Sequence, residues 1–229
     1  DYVSQLFIGS THDHILFITN AGKAYWVKVH EIPEASKASR GTHIKSMIAI
    51  GADEEITTVV TLKEFSDEQY LFMTTMNGVV KKVKTSEFSN AKTRGIIGLK
   101  LNTGDKLISA IPTDGNSEVL LVSRRGKALR FTEEDVRSMG RASCGIKGLK
   151  LAEGDEVAGA IKVIPDESIL LLTEKGYGKK TDVNEYRMTH RGSKGVKALN
   201  ITEKNGNIVS FKMISSNEDL IIVTDSGIM

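Results

Sequence analysis

Lysine and arginine recur at fixed places after a series of glycine turns, and the chemistry of such side chains is the binding of anions. Lys81-Lys82 and Lys179-Lys180 stand three and four residues after Gly78 and Gly176. A row of these cations can pair with a regular row of phosphates, such as a nucleic acid backbone, whatever the base sequence. The predicted anion-binding residues, taken from four turns and the loops that follow them, are Lys23, Lys28, Arg40, Lys81, Lys82, Lys84, Lys92, Arg94, Lys127, Arg130, Arg137, Arg141, Lys179, Lys180, Arg187, Arg191 and Lys194.

The elements that must position these cations repeat along the chain. Successive turn glycines are separated by 56, 48, 50 and 51 residues; they are Gly22, Gly78, Gly126, Gly176 and Gly227. An apolar strand precedes each turn and a second strand follows it, as in LLLTEKGYGKKT (170–181). Short runs of Val, Ile, Leu and Thr between Gly, Asn and Asp are typical of strands and turns rather than helices. A period of this length predicts a propeller, solenoid or array whose units share a core.

Each repeat contains about four predicted strands, which is the content of one propeller blade. Outside the hairpins, strands are predicted at residues 5–10, 56–62, 107–112, 157–164 and 208–214. A second glycine follows each turn glycine by 17 to 19 residues and precedes a further short strand, as at 97–101 and 146–151. We therefore predict an all-β, propeller-like array of four full repeats and part of a fifth, forming a single domain over residues 1–229.

Positive charge is concentrated between each turn glycine and the second glycine. These segments (22–41, 78–95, 126–145 and 176–195) hold 18 Lys or Arg against 8 Asp or Glu, a net charge of +10. The other 151 residues hold 13 basic and 21 acidic side chains, a net charge of −8. Because every repeat places this segment at the same point of its blade, we expect the cations to form a band at the perimeter. The alternative is that the lysines only solubilise exposed strand faces.

The sequence offers little for other chemistry. Cys144 is the single cysteine, which excludes an internal disulfide and fits a reducing compartment, and its apolar surroundings favour a small packing residue. His12 and His14 share a loop, but a structural zinc needs four convergent ligands, which the sequence does not supply. We find no phosphate-binding loop and no catalytic serine motif. Without a long apolar run or a signal peptide, we expect a cytoplasmic protein.

Two repeated positions have alternative interpretations. An acidic residue stands nine residues after each of four turn glycines, at Glu31, Glu87, Asp135 and Glu185. We favour a carboxylate that accepts hydrogen bonds from loop amides over a catalytic group. Trp26 occupies the position that a lysine or arginine holds in the other repeats, and packing at a blade edge is favoured there over contact with DNA.

Four stretches of sequence carry a more specific signal. They are THDHILFITNAGKAYWVKVHEIPEASKASRG (11–41), MNGVVKKVKTSEF (76–88), RRGKALRFTEEDVRSMGRASCGIKGLKL (124–151) and GYGKKTDVNEYRMTHRGSKGVKALNITEKNG (176–206). In register and over essentially the whole chain, they resemble the C-terminal domain of the A subunit of bacterial DNA gyrase, which is a type IIA topoisomerase. The resemblance implies a β-pinwheel, a propeller-shaped ring of four-stranded blades that usually number six.

The resemblance also implies a function. Such a domain binds duplex DNA without sequence preference around a basic perimeter, wraps it, and presents one segment to the gate for ATP-dependent negative supercoiling. It implies no catalytic residue, cofactor or metal in this chain, because the cutting tyrosine and the ATPase lie elsewhere and ATP and Mg²⁺ are used by the whole enzyme. The implied partners are double-stranded DNA, the N-terminal part of the gyrase A subunit, and the gyrase B subunit, with no membrane and a monomeric domain.

One family feature is missing, and three alternatives stay open. The family's Gln-Arg-Arg-Gly-Gly-Lys-Gly box is absent, and with a fifth repeat that stops at Met229 we expect part of a longer domain. The alternatives are the matching domain of topoisomerase IV, a protein-interaction propeller with a mixed-charge groove, and a propeller enzyme with convergent carboxylates or histidines in its channel. The basic band predicts that changing Lys81, Lys82, Lys179 and Lys180 together to glutamate weakens DNA binding without unfolding the domain.

Overall fold

Short strands and single 3-10 turns make up the regular structure of the chain. The computed structural model describes residues 8–36 and 39–215. The strands are β1 (His14–Thr19), β2 (Lys23–Lys28), β3 (Ile56–Leu62), β4 (Tyr70–Thr75), β5 (Val79–Lys84), β6 (Ile96–Ile97), β7 (Leu107–Thr113), β8 (Glu118–Ser123), β9 (Lys127–Thr132), β10 (Ile146–Lys147), β11 (Val157–Lys162), β12 (Ser168–Thr173), β13 (Gly178–Asp182), β14 (Val196–Lys197) and β15 (Ile208–Ile214). The 3-10 turns are Val29–Glu31, Ile44–Ser46, Thr85–Phe88, Lys92–Arg94, Glu133–Asp135 and Val183–Glu185. Among these residues no helix is long and apolar enough to cross a membrane.

The strands form four antiparallel sheets, which we call blades 1 to 4. Their strand orders are β3-β1-β2-β6, β7-β4-β5-β10, β11-β8-β9-β14 and β15-β12-β13. The strands at one edge of the blades, β3, β7, β11 and β15, contact one another in series. This edge of every blade therefore lies at the centre of the array. The opposite edge of blades 1 to 3 is a two-residue strand supplied by the following repeat, since β6 pairs with β2 although it comes after β5 in the chain. Successive repeats are therefore linked by exchanged strands.

Each hairpin turn is closed by a hydroxyl group and by its glycine. The side-chain oxygens of Thr19, Thr75, Ser123 and Thr173 accept a hydrogen bond from the backbone N–H four residues later. At Gly126, where φ is +84°, the carbonyl oxygen also accepts hydrogen bonds from the N–H groups of Ala198 and Leu199. A Cβ atom there would lie 2.2 Å from the carbonyl oxygen of Leu199. Glycine recurs at this turn because the exchanged strand rests directly on it.

The second glycine of a repeat brings the loop against the preceding blade. Gly145 and Gly195 have positive φ angles of 77° and 66°. A Cβ atom on Gly145 would lie 2.7 Å from the carbonyl oxygen of Val80, and one on Gly195 would lie 2.4 Å from that of Ala128. Close contact with the second hairpin strand of the previous repeat therefore explains the second glycine at these two positions.

The apolar core is shared between neighbouring repeats. One cluster joins Leu16 and Ala24 of the first hairpin to Leu71 and Val83 of the second, all at most 2% exposed. Comparable clusters join the second hairpin to the third and the third to the fourth. Because about 50 residues alone bury too little apolar surface for a stable fold, the repeats depend on one another.

The predicted all-β, propeller-like fold is confirmed, with differences at particular strands. Strands β3 and β15 have the predicted bounds, and hairpins turn at Gly22, Gly78, Gly126 and Gly176. The outer strands are only two residues long, because the amides that follow them turn to the carbonyl of the turn glycine. Residues 8–10 form no strand. Residues 5–7 and the partial fifth repeat around Gly227 lie outside the described residues.

Candidate nucleic-acid interface

Lys81 and Lys82 do not lie on the surface, so the prediction that they belong to an exposed basic band is wrong. Lys81 is 0% exposed and Lys82 is 6% exposed. The reason is cover from the neighbouring repeat. Ser138 forms a bridge with Lys82, the N–H of Met139 donates to the carbonyl oxygen of Lys82, and the Lys81 ammonium group lies against the carbonyl oxygens of Arg141 and Ser143. Replacing both by glutamate would place unpaired carboxylates in the interior and would test folding rather than DNA binding.

Lys82 and its counterparts in the first and third hairpins, Trp26 and Arg130, hold the next repeat. The Nζ atom of Lys82 donates to the carbonyl oxygen of Glu133 at 3.0 Å, and Arg130 donates from Nη1 to that of Val183 at 2.9 Å. Trp26 makes the same connection from its indole N–H to the carbonyl oxygen of Phe88 at 3.1 Å, which agrees with the packing role predicted for it. In the first three hairpins this position joins neighbouring blades, whereas Lys180 at the same position of the fourth hairpin is exposed among the described residues.

Arg141 and Arg191 also contact groups of the protein itself. Their partners, Glu87 and Asp135, are two of the acidic residues that recur nine positions after a turn glycine. Arg191 donates from Nε to the backbone carbonyl of Asp135 at 2.8 Å, and its own N–H donates to the Asp135 carboxylate at 3.4 Å. Arg141 lies 3.5 Å from the carboxylate of Glu87. The predicted acceptance of loop amides holds for Glu31, whose carboxylate accepts the N–H of Lys28, and for Asp135. Glu87 therefore also forms an ion pair with an arginine of the next repeat, whereas Arg191 contacts Asp135 through backbone groups.

The remaining predicted cations are divided between half-buried and exposed positions. Lys23, Lys28 and Lys84 are half-buried, with Lys23 paired to Glu54 and Lys84 lying 3.6 Å from Asp67. The exposed members are Arg40, Lys92, Arg94, Lys127, Arg137, Lys179, Lys180, Arg187 and Lys194. Exposure alone does not bring these residues together, because Lys127 lies in β9, Lys179 and Lys180 lie in β13, and the others lie in loops or a 3-10 turn.

A continuous cationic surface runs along the outer edge of blades 1 to 3. We define the perimeter belt as residues 92–100, 142–150 and 192–200, which we number segments 1 to 3. The segments are joined end to end, since the N–H of Lys100 donates to the carbonyl of Ser143 at 3.1 Å and that of Lys150 to Ser193 at 2.9 Å. No residue of the belt is acidic. Its exposed cations are Lys92, Arg94, Lys100, Lys147, Lys150, Lys194 and Lys197.

Four of these seven cations were missed by the sequence analysis. Lys100, Lys147, Lys150 and Lys197 come after the second glycine, where the segments used for the charge count ended. They stand two or five residues beyond that glycine, so continuing the repeat alignment by five residues would have found them. The signal was a fixed spacing in the sequence, whereas the joining of the segments depends on the fold.

Cys144 lies in the belt and is exposed, so the prediction of a buried packing residue is wrong. The residue immediately before the second glycine is exposed in all four repeats, and it is Arg40, Arg94, Cys144 and Lys194 in turn. Ile146 packs against the core cluster shared by the second and third hairpins, while Cys144, two residues earlier, is exposed. The single thiol of the chain is therefore a natural reporter for occupation of the belt.

Burial changes the acid–base chemistry of the one interior lysine that has no carboxylate partner among the described residues. Lys81 donates from Nζ to the carbonyl oxygens of Gly98 at 2.9 Å, Arg141 at 2.5 Å and Ser143 at 3.0 Å. Removal of water from the ammonium group lowers the pKa of Lys81 to about 8. The ammonium group sits between segments 1 and 2 of the belt and ties them to the interior.

A family model described as the DNA gyrase C-terminal domain, beta-propeller, matches most of the chain. It matches four times, at residues 13–63, 69–114, 117–164 and 167–215, and each match covers one of the four hairpins described above. The match therefore repeats with the same period as the blades.

Relatives agree with this match. The DNA gyrase A subunit of Halalkalibacterium halodurans is 52% identical over all 229 residues, and that of Treponema pallidum is 55% identical over 62% of the chain. The chain spans 28% and 18% of the lengths of these two relatives.

Two solved structures share the fold. A structure of a DNA gyrase A C-terminal domain has a TM-score of 0.78 and 30% identity, over 90% of this chain and 67% of that chain. The C-terminal domain of a DNA topoisomerase IV has a TM-score of 0.81 and 32% identity, over 90% of this chain and 64% of that chain. Fold similarity therefore does not separate the two kinds of topoisomerase. The family model and the 52% identity to a gyrase A subunit over all 229 residues of this chain do separate them. The chain belongs to the family of DNA gyrase C-terminal domains.

Proposed function

We propose that this domain binds duplex DNA through the perimeter belt, without preference for base sequence, and bends the duplex around the outer edge of its blades. The observation that carries the proposal is the continuity of the belt, in which three segments without acidic residues meet through backbone hydrogen bonds. Cations spaced along a curved edge contact phosphates and release counterions, which supplies affinity independent of sequence. Backbone contact along a curve favours DNA that bends easily.

Within the whole enzyme the domain has a specific task under this proposal. It acts with the N-terminal part of the gyrase A subunit and with the B subunit, and it presents the wrapped segment to the gate for negative supercoiling driven by ATP and Mg²⁺. The domain supplies binding and geometry and no catalytic group. The alternative is the same task in topoisomerase IV, which the structural similarity to that enzyme's domain supports.

A charge-reversal pair tests the belt. In the first variant Lys147, Lys150 and Lys197 become glutamate, and in the control Lys63, Lys106 and Lys162, which are exposed but lie outside the belt, become glutamate. Closed circular DNA is relaxed in the presence of each protein and the trapped linking difference is read. We expect the belt variant to lose the linking difference and the control to keep most of it. Equal losses would contradict the belt as the contact surface.

The alkylation rate of Cys144 tests DNA contact with the belt independently, in the unmutated protein. It is exposed and lies in segment 2, next to the junction with segment 1. Saturating duplex DNA should slow its alkylation by N-ethylmaleimide, and salt that dissociates the complex should restore the rate. An unchanged alkylation rate in a complex that binds DNA would place the contact elsewhere.

A further inference from the structure

The two junctions of the perimeter belt have the same backbone hydrogen bond but different side-chain supports. At the junction of segments 2 and 3, Arg191 donates to the carbonyl oxygen of Asp135 at 2.8 Å and to that of Lys147 at 3.1 Å. At the junction of segments 1 and 2, Arg141 makes one longer hydrogen bond, to the carbonyl of Ile97 at 3.3 Å. The Nε atom of Arg141 is buried without a hydrogen-bond partner among the described residues, and its contact with the Glu87 carboxylate is a partly exposed ion pair at 3.5 Å, which contributes little. The first junction is therefore held less firmly from the outside.

Lys81 supports the first junction from the inside. Its Nζ atom donates to Gly98 in segment 1 and to Ser143 in segment 2, and also to the carbonyl of Arg141 just before segment 2. The position equivalent to Lys81 at the second junction, three residues after the turn glycine, is Leu129, which is 1% exposed and packs in the apolar core. An ammonium group thus replaces a leucine at the junction where the arginine is weakly bonded.

The buried charge of Lys81 has no counterion among the described residues that would offset its loss of hydration. The charged or titratable groups that face it are the Arg141 guanidinium, which disfavours its charge, and the Cys144 thiol. Buried ionic groups are often replaced by apolar side chains of similar volume without loss of stability, and some serve to specify one arrangement of the chain. Three carbonyl oxygens around one ammonium group specify such an arrangement.

We propose that Lys81 is a positioning residue for DNA binding, whose ammonium group fixes segments 1 and 2 of the belt in one arrangement without adding to the stability of the domain. This role rests on the proposed binding of DNA by the belt. Loss of the ammonium group frees the carbonyls of Arg141 and Ser143, which are half-buried and can turn to water. The carbonyl of Gly98 is buried and loses this donor, a cost that removal of the uncompensated buried charge offsets. The cations on both sides of the junction, Lys100 and Lys147, then lose their fixed spacing.

The test compares Lys81→Met with Lys63→Met in the whole 229-residue chain. Both variants lose one positive charge, but Lys63 lies outside the belt. Three quantities are measured: the free energy of unfolding, the hydrogen exchange of the Lys100 and Lys150 amides, and the trapped linking difference of closed circular DNA. The Lys150 amide is the internal control, because its hydrogen bond to Ser193 is the equivalent of the one from Lys100 to Ser143.

We expect Lys81→Met to keep or raise the free energy of unfolding and to speed exchange of the Lys100 amide by about tenfold, as for loss of a charge-assisted hydrogen bond. Exchange of the Lys150 amide should not change, and the linking difference should fall below that of Lys63→Met. An unchanged Lys100 amide overturns the proposal, and so does a variant that unfolds or loosens both amides together. A loosened Lys100 amide with the linking difference of Lys63→Met also overturns it. If the unmutated chain binds no DNA, the proposed function itself fails, whereas the other outcomes leave that binding intact.

Discussion

The guanidinium group of Arg130 in β9 donates a hydrogen bond of 2.9 Å to the carbonyl oxygen of Val183, which begins the 3-10 turn of the next repeat. The same guanidinium group pairs with the carboxylate of Glu118 at 2.6 Å. A residue that composition assigns to an anion-binding surface is thus a connection between blades 3 and 4. Substitutions can distinguish such connections from the cations of the belt.

Arg130→Met should destabilise the domain by about 2 to 4 kcal/mol, because it removes hydrogen bonds to the next repeat and leaves Glu118 half-buried without its partner. The measurement is urea unfolding followed by circular dichroism. Arg137→Met is the matched control, since Arg137 is an exposed arginine seven residues away and should change stability by less than about 0.5 kcal/mol. Equal effects of the two substitutions would contradict the connecting role of Arg130.

Replacing Gly126 or Gly176 by alanine should lower the free energy of unfolding by unequal amounts. Gly126 and Gly176 have similar φ angles, 84° and 77°. A Cβ atom on Gly126 would lie 2.2 Å from the carbonyl oxygen of Leu199, whereas one on Gly176 would meet nothing within 4 Å among residues 8–36 and 39–215. Gly176→Ala should cost about 1 kcal/mol for the left-handed conformation. Gly126→Ala should cost about 2 to 4 kcal/mol, since displacement of the exchanged strand is added. Unfolding free energies from urea titration decide this, and a similar cost at both sites would show that β14 does not rest on the turn.

Stability should depend on pH through Lys81. In the folded protein the pKa of Lys81 is lowered to about 8 by burial, from 10.5 in the unfolded chain. Below about pH 8 both states hold the proton and this group adds no pH dependence. Between about 8 and 10.5 the unfolded state binds more protons than the folded state, so the free energy of unfolding should rise with pH.

The pH effect is isolated by subtracting the unfolding free energy of Lys81→Met from that of the unmutated protein at each pH. This difference should be flat from about pH 6 to about 7.5 and should increase toward about pH 10. A difference that decreases over that range would contradict a lowered pKa. Other titrating groups cancel in the subtraction, because Lys81 is the one group changed.

The salt dependence of DNA binding should depend on the belt. Replacing Lys147, Lys150 and Lys197 by glutamine should lower the slope of log Kobs against log salt concentration by about 0.9 for each phosphate that the variant no longer neutralises. Replacing Lys63, Lys106 and Lys162 by glutamine should leave the slope almost unchanged. Fluorescence anisotropy with two duplexes of unrelated sequence measures the slopes, which should agree between duplexes. A belt variant with the slope of the unmutated protein would show that these lysines do not bind phosphates.

Local sequence was sufficient for the four described hairpins and their turns. The glycine at each turn, the hydroxyl three residues before it and the apolar runs on either side are read within about a dozen residues, which is the range over which a hairpin forms. The spacing of Gly22, Gly78, Gly126 and Gly176 set the repeat, and the family resemblance carried by the same stretches was correct. These features depend on backbone conformation and local hydrogen bonds.

The burial of each cation could not be read from the hairpin that carries it. Lys81 and Lys82 stand on a strand whose edge is open in an isolated hairpin, and they are covered by Ser138, Arg141 and Ser143, more than 50 residues later in the chain. Lys179 and Lys180 stand at the same positions of the fourth hairpin and are exposed among the described residues. The same pair of lysines, at the same positions of two hairpins, is therefore buried in one and exposed in the other.

The sequence by itself determined that this chain folds into repeated β-hairpins and that its positive charge follows the turn glycines. Only the tertiary structure decided which of those charges hold the blades together and which face outward. The physical reason is that the outer strand of each of blades 1 to 3 comes from the next repeat, so the solvent boundary is set by pairing between distant residues. The belt from Lys92 to Lys197 is a product of that pairing.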